Sequence, residues 1–131
     1  YIKTWTLANL RHAFFSDPFN QALNYYRPFQ TLSNMLDFSV WGLNPFGYHL
    51  TNLLFHAAGT LLAFLLMGEL GLGWAAAFLA ALFFAVNPTG VEQLIIVAGR
   101  AELASSAFTL ASVLFFLRRV ERITLNQAKQ Q

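Results

Sequence analysis

Three apolar runs divide the chain. They lie at Phe46–Leu70, at Leu72–Val86, and from about Glu102 to Leu117. Crossing about 30 Å of hydrocarbon takes roughly 20 helical residues. The first run meets that length alone. The second spans only with help from its flanks or in a thin bilayer, and the third spans if its helix starts before Arg100. Gly71-Leu72-Gly73 predicts a tight turn, and so an antiparallel helical hairpin from the first two runs. Asn87-Pro88-Thr89-Gly90 punctuates the chain between the second and third.

Upstream of Phe46 the pattern changes. Phe29, Leu32, Leu36, Val40 and Leu43 recur at spacings of three and four, with Gln30, Ser33, Asn34 and Asp37 mainly off that stripe. This predicts an amphipathic helix with Pro28 in its first turn. It is too short and too polar to span, and is expected at the interface or packed on the bundle. Residues 1–15 predict a similar helix with Trp5, Phe14 and Phe15 as interface anchors, ended by Ser16-Asp17-Pro18. After Leu117 the chain turns polar.

Composition fixes the solvent. Of 131 residues, 56% are hydrophobic and 11% charged, against about 25% charged in a soluble domain. Phe occurs 14 times, more than the 8 Lys and Arg together. Intrinsic disorder and nucleic-acid binding both need far more charge, and the formal net charge of +2 implies no acidic partner. With no Cys there is no disulfide, thiolate zinc site or thiol nucleophile. The expected fold is all-α and integral to a membrane, with about three transmembrane helices after amphipathic interfacial ones. The lipid bilayer is the first partner, other membrane chains the second.

The expected layout is an outer-face interfacial segment (1–45), a transmembrane segment (46–118) and a polar cytoplasmic tail (119–131). Its orientation follows from Arg118, Arg119, Arg122 and Lys129 just past the last run, which place the C-terminus in the cytoplasm. Residues 1–45 and 87–100 then share the outer side, although Lys3, Arg11 and Arg27 oppose the rule. A bacterial inner membrane is the expected location, ahead of the endoplasmic reticulum.

Two groups of residues invite chemistry. His49, Asn52 and His56 share one helix face, which Gly59, Thr60 and Ala63 continue. Seven helical residues rise about 10 Å, too far for both histidines to hold one metal ion. That face predicts a seam where another helix packs closely and hydrogen-bonds. Glu92, Arg100 and Glu102 flank or enter a span, where an ionisable residue is costly and marks a functional site by default. Arg100 and Glu102, two apart, point to nearly opposite sides of a helix and cannot pair. The bland alternative puts both at headgroup level, with the arginine snorkelling and the glutamate complementing a helix dipole. Tyr25-Tyr26-Arg27-Pro28 suits either a sugar phosphate or lipid phosphate, or an interfacial belt.

Taken in order, Tyr26-Arg27-Pro28, then Leu43-Asn44-Pro45-Phe46-Gly47-Tyr48-His49 with Asn52 and His56, Asn87-Pro88 with Glu92, and Gly99-Arg100-Ala101-Glu102-Leu103 form a series. It resembles the membrane part of the transmembrane and tetratricopeptide-repeat protein O-mannosyltransferases and their bacterial relatives, over roughly residues 26–118. The resemblance implies a glycosyltransferase of the GT-C class, with a lipid-phosphate-linked sugar donor and an active site on the outer or lumenal face. It marks Arg27, His49, Glu92, Arg100 and Glu102 as candidates for anion or substrate contact. Two departures stand out. Family members usually carry His-Pro and a second His two residues later, where this chain has Asn87 and Gly90. The acidic pair expected before the Arg-Pro motif is missing, only Asp17 lying upstream.

Two function classes follow. One is a non-catalytic membrane scaffold or fragment derived from such an enzyme, packed within a larger complex, where its Phe and Ala residues suit lipid, quinone or pigment. The other is a segment of an active GT-C glycosyltransferase. No cofactor is named by the sequence, and the missing acidic residues favour the first class.

Overall fold

The computed structural model describes residues 5–15 and 27–128. Tyr25, Tyr26 and the Ser16-Asp17-Pro18 break lie outside them. The described chain is helical throughout: α1 (Leu7–Phe15), α2 (Pro28–Trp41), α3 (Pro45–Glu69), α4 (Trp74–Val86), α5 (Pro88–Ile95), a 3-10 turn at Val97–Gly99, and α6 (Arg100–Ala128).

Asn-Pro pairs start two of these helices. Asn44 and Asn87 each accept a backbone N–H two residues on, from Phe46 at 3.1 Å and Thr89 at 3.0 Å. Pro45 and Pro88 follow at the first helical position, where the missing N–H costs nothing. Gly71, at φ +83°, turns the chain between α3 and α4, a conformation that glycine adopts without steric cost.

α3 is the central helix, touching α2, α4, α5 and α6. Arg100, at the start of α6, meets Asn52 near the start of α3, and Arg118 meets Glu69 at its end. α3 and α6 therefore run in the same direction. α4 returns antiparallel along α3, with Ala85 near its end beside His56. Small residues line these contacts: Gly59 and Ala63 on α3, Ala77 and Ala81 on α4, Ala104 and Ala107 on α6 are all buried. Small side chains let helix backbones approach closely, as membrane packing requires. Large apolar side chains such as Phe83, Phe115 and Phe116 face outward. That is the reverse of a soluble core, and the protein is an all-α integral membrane structure.

α3, with 25 residues, and the 32-residue stretch Val97–Ala128 are each long and apolar enough to span. The second apolar run is not one straight span. α4 has 13 residues, about 20 Å of helix, and the chain then bends by 46° into α5. The α4–α5 pair makes the third membrane element, broken at Asn87-Pro88, where α4 stops and a newly capped helix begins.

α2 forms where its periodicity places it, but its polar side faces the bundle. Gln30, Met35 and Asp37 are buried, while Phe29, Leu36 and Val40 of the apolar stripe are exposed. Trp5, ahead of α1, donates its indole N–H to Ser39 Oγ at 2.6 Å, tying α1 to the outer side of α2.

Candidate functional site

The polar side of α2 is buried because Arg100 lies against it. This side chain has no exposed surface, and its guanidinium gathers three helices. Nε donates to Asn52 Oδ1 at 3.0 Å, Nη1 to Ser33 Oγ at 3.1 Å, and Nη2 to the Tyr48 carbonyl at 3.0 Å. Nη2 also lies 2.5 Å from Asp37 Oδ2, an ion pair without the alignment of a hydrogen bond. The second carboxylate oxygen accepts from the Thr51 hydroxyl at 2.8 Å. Asn52 uses its amide as well, donating to the carbonyls of Ile96 at 3.2 Å and Gln93 at 3.4 Å. A charge removed from water is tolerated when it is paired and its donors are satisfied. Headgroup-level snorkelling is therefore wrong for Arg100: the 3-10 turn ahead of α6 aims it inward, under α2.

Asp37 is the residue least visible beforehand. Its only signal is a carboxylate on an amphipathic helix beside apolar spans, where an unpaired acid would be costly.

Glu102 takes a different partner. It stands in the first turn of α6, where a carboxylate complements the helix dipole. Its Oε1 receives Arg27 Nη2 at 2.9 Å, the two side chains being 52% and 33% exposed. Arg27 Nη1 lies 3.4 Å from the Ala98 carbonyl and 3.5 Å from Gln30 Oε1. Arg27 precedes Pro28 at the start of α2, so the Arg-Pro step puts a guanidinium beside the GRAEL turn. Solvent reaches this pair. At the opposite end of the bundle Arg118 Nε pairs with Glu69 Oε1 at 2.7 Å.

The remaining candidates separate. His49 is exposed, with Nδ1 3.1 Å from the Leu94 carbonyl. Glu92 is exposed on α5 and has no ion pair among the described residues. Asn52, His56 and Gly59 are buried on α3. His56 Nε2 lies 3.0 Å from the Ala85 carbonyl, its ring stacked on Phe84 at 5.9 Å, and Phe84 also covers Gly59. Asn87 and Gly90, the two departures from the family pattern, both line a cleft beside His56 and Glu102. Among the described residues no three of His, Cys, Asp and Glu converge as metal ligands.

These features define a helical membrane segment with a buried arginine-centred junction and a solvent-reachable ion pair at one end. In sequence it is a partial homologue of the protein O-mannosyl-transferases. It is 38% identical to human protein O-mannosyl-transferase TMTC2 over 116 residues, 82% of this chain. It is 41% identical to human TMTC3 over 93 residues, 71% of the chain, and 34% identical to Drosophila melanogaster Tmtc1 over 117 residues, 87% of the chain. The chain spans 14%, 10% and 14% of the length of these relatives. The resemblance read from the motif series therefore holds over most of this chain. All three relatives are animal proteins and lend a bacterial inner membrane no support. No family model matches the chain, and no solved structure matches it.

Proposed function

We propose that this chain is the membrane-embedded scaffold of a glycosyltransferase that takes its sugar from a lipid-phosphate donor. Arg27 contacts the donor's phosphate, and the chain is non-catalytic by itself. The relatives' names supply the reaction class, and the half-open Arg27–Glu102 pair carries the reading. Of the candidate cations, Arg100 is enclosed by Asp37 and three further acceptors, whereas Arg27 is reachable from solvent. An exposed ion pair is worth only about 0.2–1 kcal/mol, so Glu102 yields its place to a phosphate at little cost. A guanidinium fork matches phosphate oxygens in geometry and charge. A phosphate ligand also favours lipid-linked sugar over quinone or pigment at this end. The roles then divide. Arg100 and Asp37 hold α2 on α3 and α6, and α2 delivers Arg27. His49 and Glu92 stand exposed at the same end, within the outer-face layer that the arginine cluster after α6 implies.

Photo-crosslinking tests this reading, with the chain reconstituted in vesicles containing a diazirine-bearing polyprenyl monophosphate. A charge-assisted hydrogen bond is worth about 1.5–3 kcal/mol, so Arg27→Gln should lower specific labelling by about tenfold or more. Unlabelled polyprenyl phosphate should compete and uncharged polyprenol should not. Equal labelling of the Arg27→Gln variant would refute the assignment.

A further inference from the structure

α2 lies deeper than a surface helix would. Glu69 and Arg118 pair at one end of the bundle, and because charged side chains stay out of hydrocarbon, that pair marks its edge. At about 1.5 Å per residue, Thr51 stands about 27 Å along α3 from Glu69, and Arg100 about 27 Å along α6 from Arg118. Asp37 of α2 meets both of these residues. Helix tilt only shortens such heights, so the middle of α2 falls within the roughly 30 Å of hydrocarbon.

The start of α2 goes further in. Phe29 meets Phe55 and Phe108 edge-on, with ring centroids 5.9 and 5.4 Å away. Those rings belong to residues about 21 Å along α3 from Glu69 and about 15 Å along α6 from Arg118. The end of α2 comes out. Trp41 packs edge-on against Phe46 at 5.7 Å and lies against the α3 backbone at Gly47, about 33 Å from Glu69. Trp74 opens α4 just beyond Glu69, so a tryptophan marks each rim, as in aromatic belts.

The outward face of α2 suits neither water nor a neighbouring helix. Asp37 is the helix's one ionisable residue, and it is turned inward. The hydroxyls of Thr31 and Ser39 donate to the carbonyls of Arg27 and Met35, and Ser39 also accepts from Trp5. Polar groups satisfied within the chain are what hydrocarbon demands. Leu36 and Val40 are left 57% and 68% exposed. Close helix contacts in a membrane use small residues, as those among α3, α4 and α6 do, but α2 contains neither Gly nor Ala. Phe46, which Trp41 touches, is exposed on α3, so the face continues the surface that a spanning helix gives to lipid.

We propose that α2 is a membrane-inserted helix, descending obliquely from Trp41 at the rim toward Phe29, and that lipid acyl chains cover its Leu36–Val40 face. An interfacial helix lies in the membrane plane with its polar face to water. α2 has the opposite arrangement, with its polar face on Arg100 and its apolar face outward. It thereby screens the Arg100–Asp37 pair from hydrocarbon. The assignment rests on depth and side-chain type, and stands without any ligand at Arg27.

Spin-label accessibility tests this on the chain in phosphatidylcholine vesicles. The chain has no Cys of its own, so single labels go on Leu36→Cys, Val40→Cys, Leu54→Cys on the exposed side of α3, and Gln127→Cys. Oxygen partitions into hydrocarbon and a nickel chelate into water. Leu36 and Val40 should collide more with oxygen than with nickel, like Leu54, with the larger ratio at Leu36. Gln127 should show the reverse. Nickel dominating at Leu36 would put the face in water and overturn the proposal. Protection from both reagents would mean that another helix or a second copy covers the face, and would overturn it equally. Equal ratios at Leu36 and Val40 would refute the descent. Trp41 fluorescence gives a second measurement, with Trp5→Phe and Trp74→Phe in place. Lipids brominated near the headgroup should quench it more than lipids brominated near the chain end, and the opposite order would remove Trp41 from the rim.

Discussion

The guanidinium of Arg100 meets the carboxylate of Asp37 where neither side chain is more than 4% exposed. One residue opens α6 and the other lies two-thirds of the way along α2. The pair decides how α2 sits. A buried arginine needs an anion and several acceptors, and α2 supplies Asp37 and Ser33 only with its polar side turned inward.

Removing one member of a buried pair leaves an uncompensated charge and costs about 3–5 kcal/mol. Arg100→Ala and Asp37→Ala should each destabilise the chain by that amount in detergent-titration unfolding. The double substitution Arg100→Met with Asp37→Leu should recover most of the loss, because buried pairs replaced by apolar groups are often neutral in stability. Additive losses in the double variant would argue against mutual dependence.

Exposure predicts a contrasting result at the other pair. Glu102→Gln should change stability by less than about 1 kcal/mol. Because it takes a competing carboxylate away from Arg27, polyprenyl phosphate labelling should hold or rise. A fall in labelling as large as that of Arg27→Gln would mean that Glu102 assists phosphate binding rather than competing with it.

Topology is open to a direct measurement. If the bent α4–α5 pair is one span, α5 and the end of α6 lie on opposite sides of the membrane. Single cysteines at Glu92 and Gln127 should label from opposite faces of sealed vesicles. If both react from one face, the bent α4–α5 pair re-enters the membrane instead of crossing it.

Sugar transfer by this chain alone is not expected. A positioned base contributes about 10²–10⁴ in rate. Among the described residues Asp37, Glu69 and Glu102 are each held by an arginine, and Glu92 stands exposed on α5. Purified chain given a polyprenyl-phosphate mannose and a peptide acceptor should show no more turnover than a Glu92→Gln, Glu102→Gln control. Turnover well above that control would restore a catalytic role to this segment.

Much of the architecture is local and was legible in one dimension. Apolar length sets which helices reach across hydrocarbon, and three- and four-residue spacing defines α2 and its stripe. Asn-Pro steps mark the starts of α3 and α5, because side-chain capping and proline's fixed φ act within a few residues. The cost of charge in an apolar segment likewise singled out Arg100 and Glu102 as needing partners. Which partners they took was not local. Periodicity tells which residues share a face but not where that face points, and a membrane removes the usual rule that the apolar face turns inward. Only the packed bundle set the phase of α2, sending Leu36 and Val40 outward and Asp37 to Arg100. Only packing, too, brought the α4–α5 break over His56, where Ala85 and Gly90 meet its ring. Burial, and with it the electrostatic demand for a partner, arises where helices distant in sequence meet.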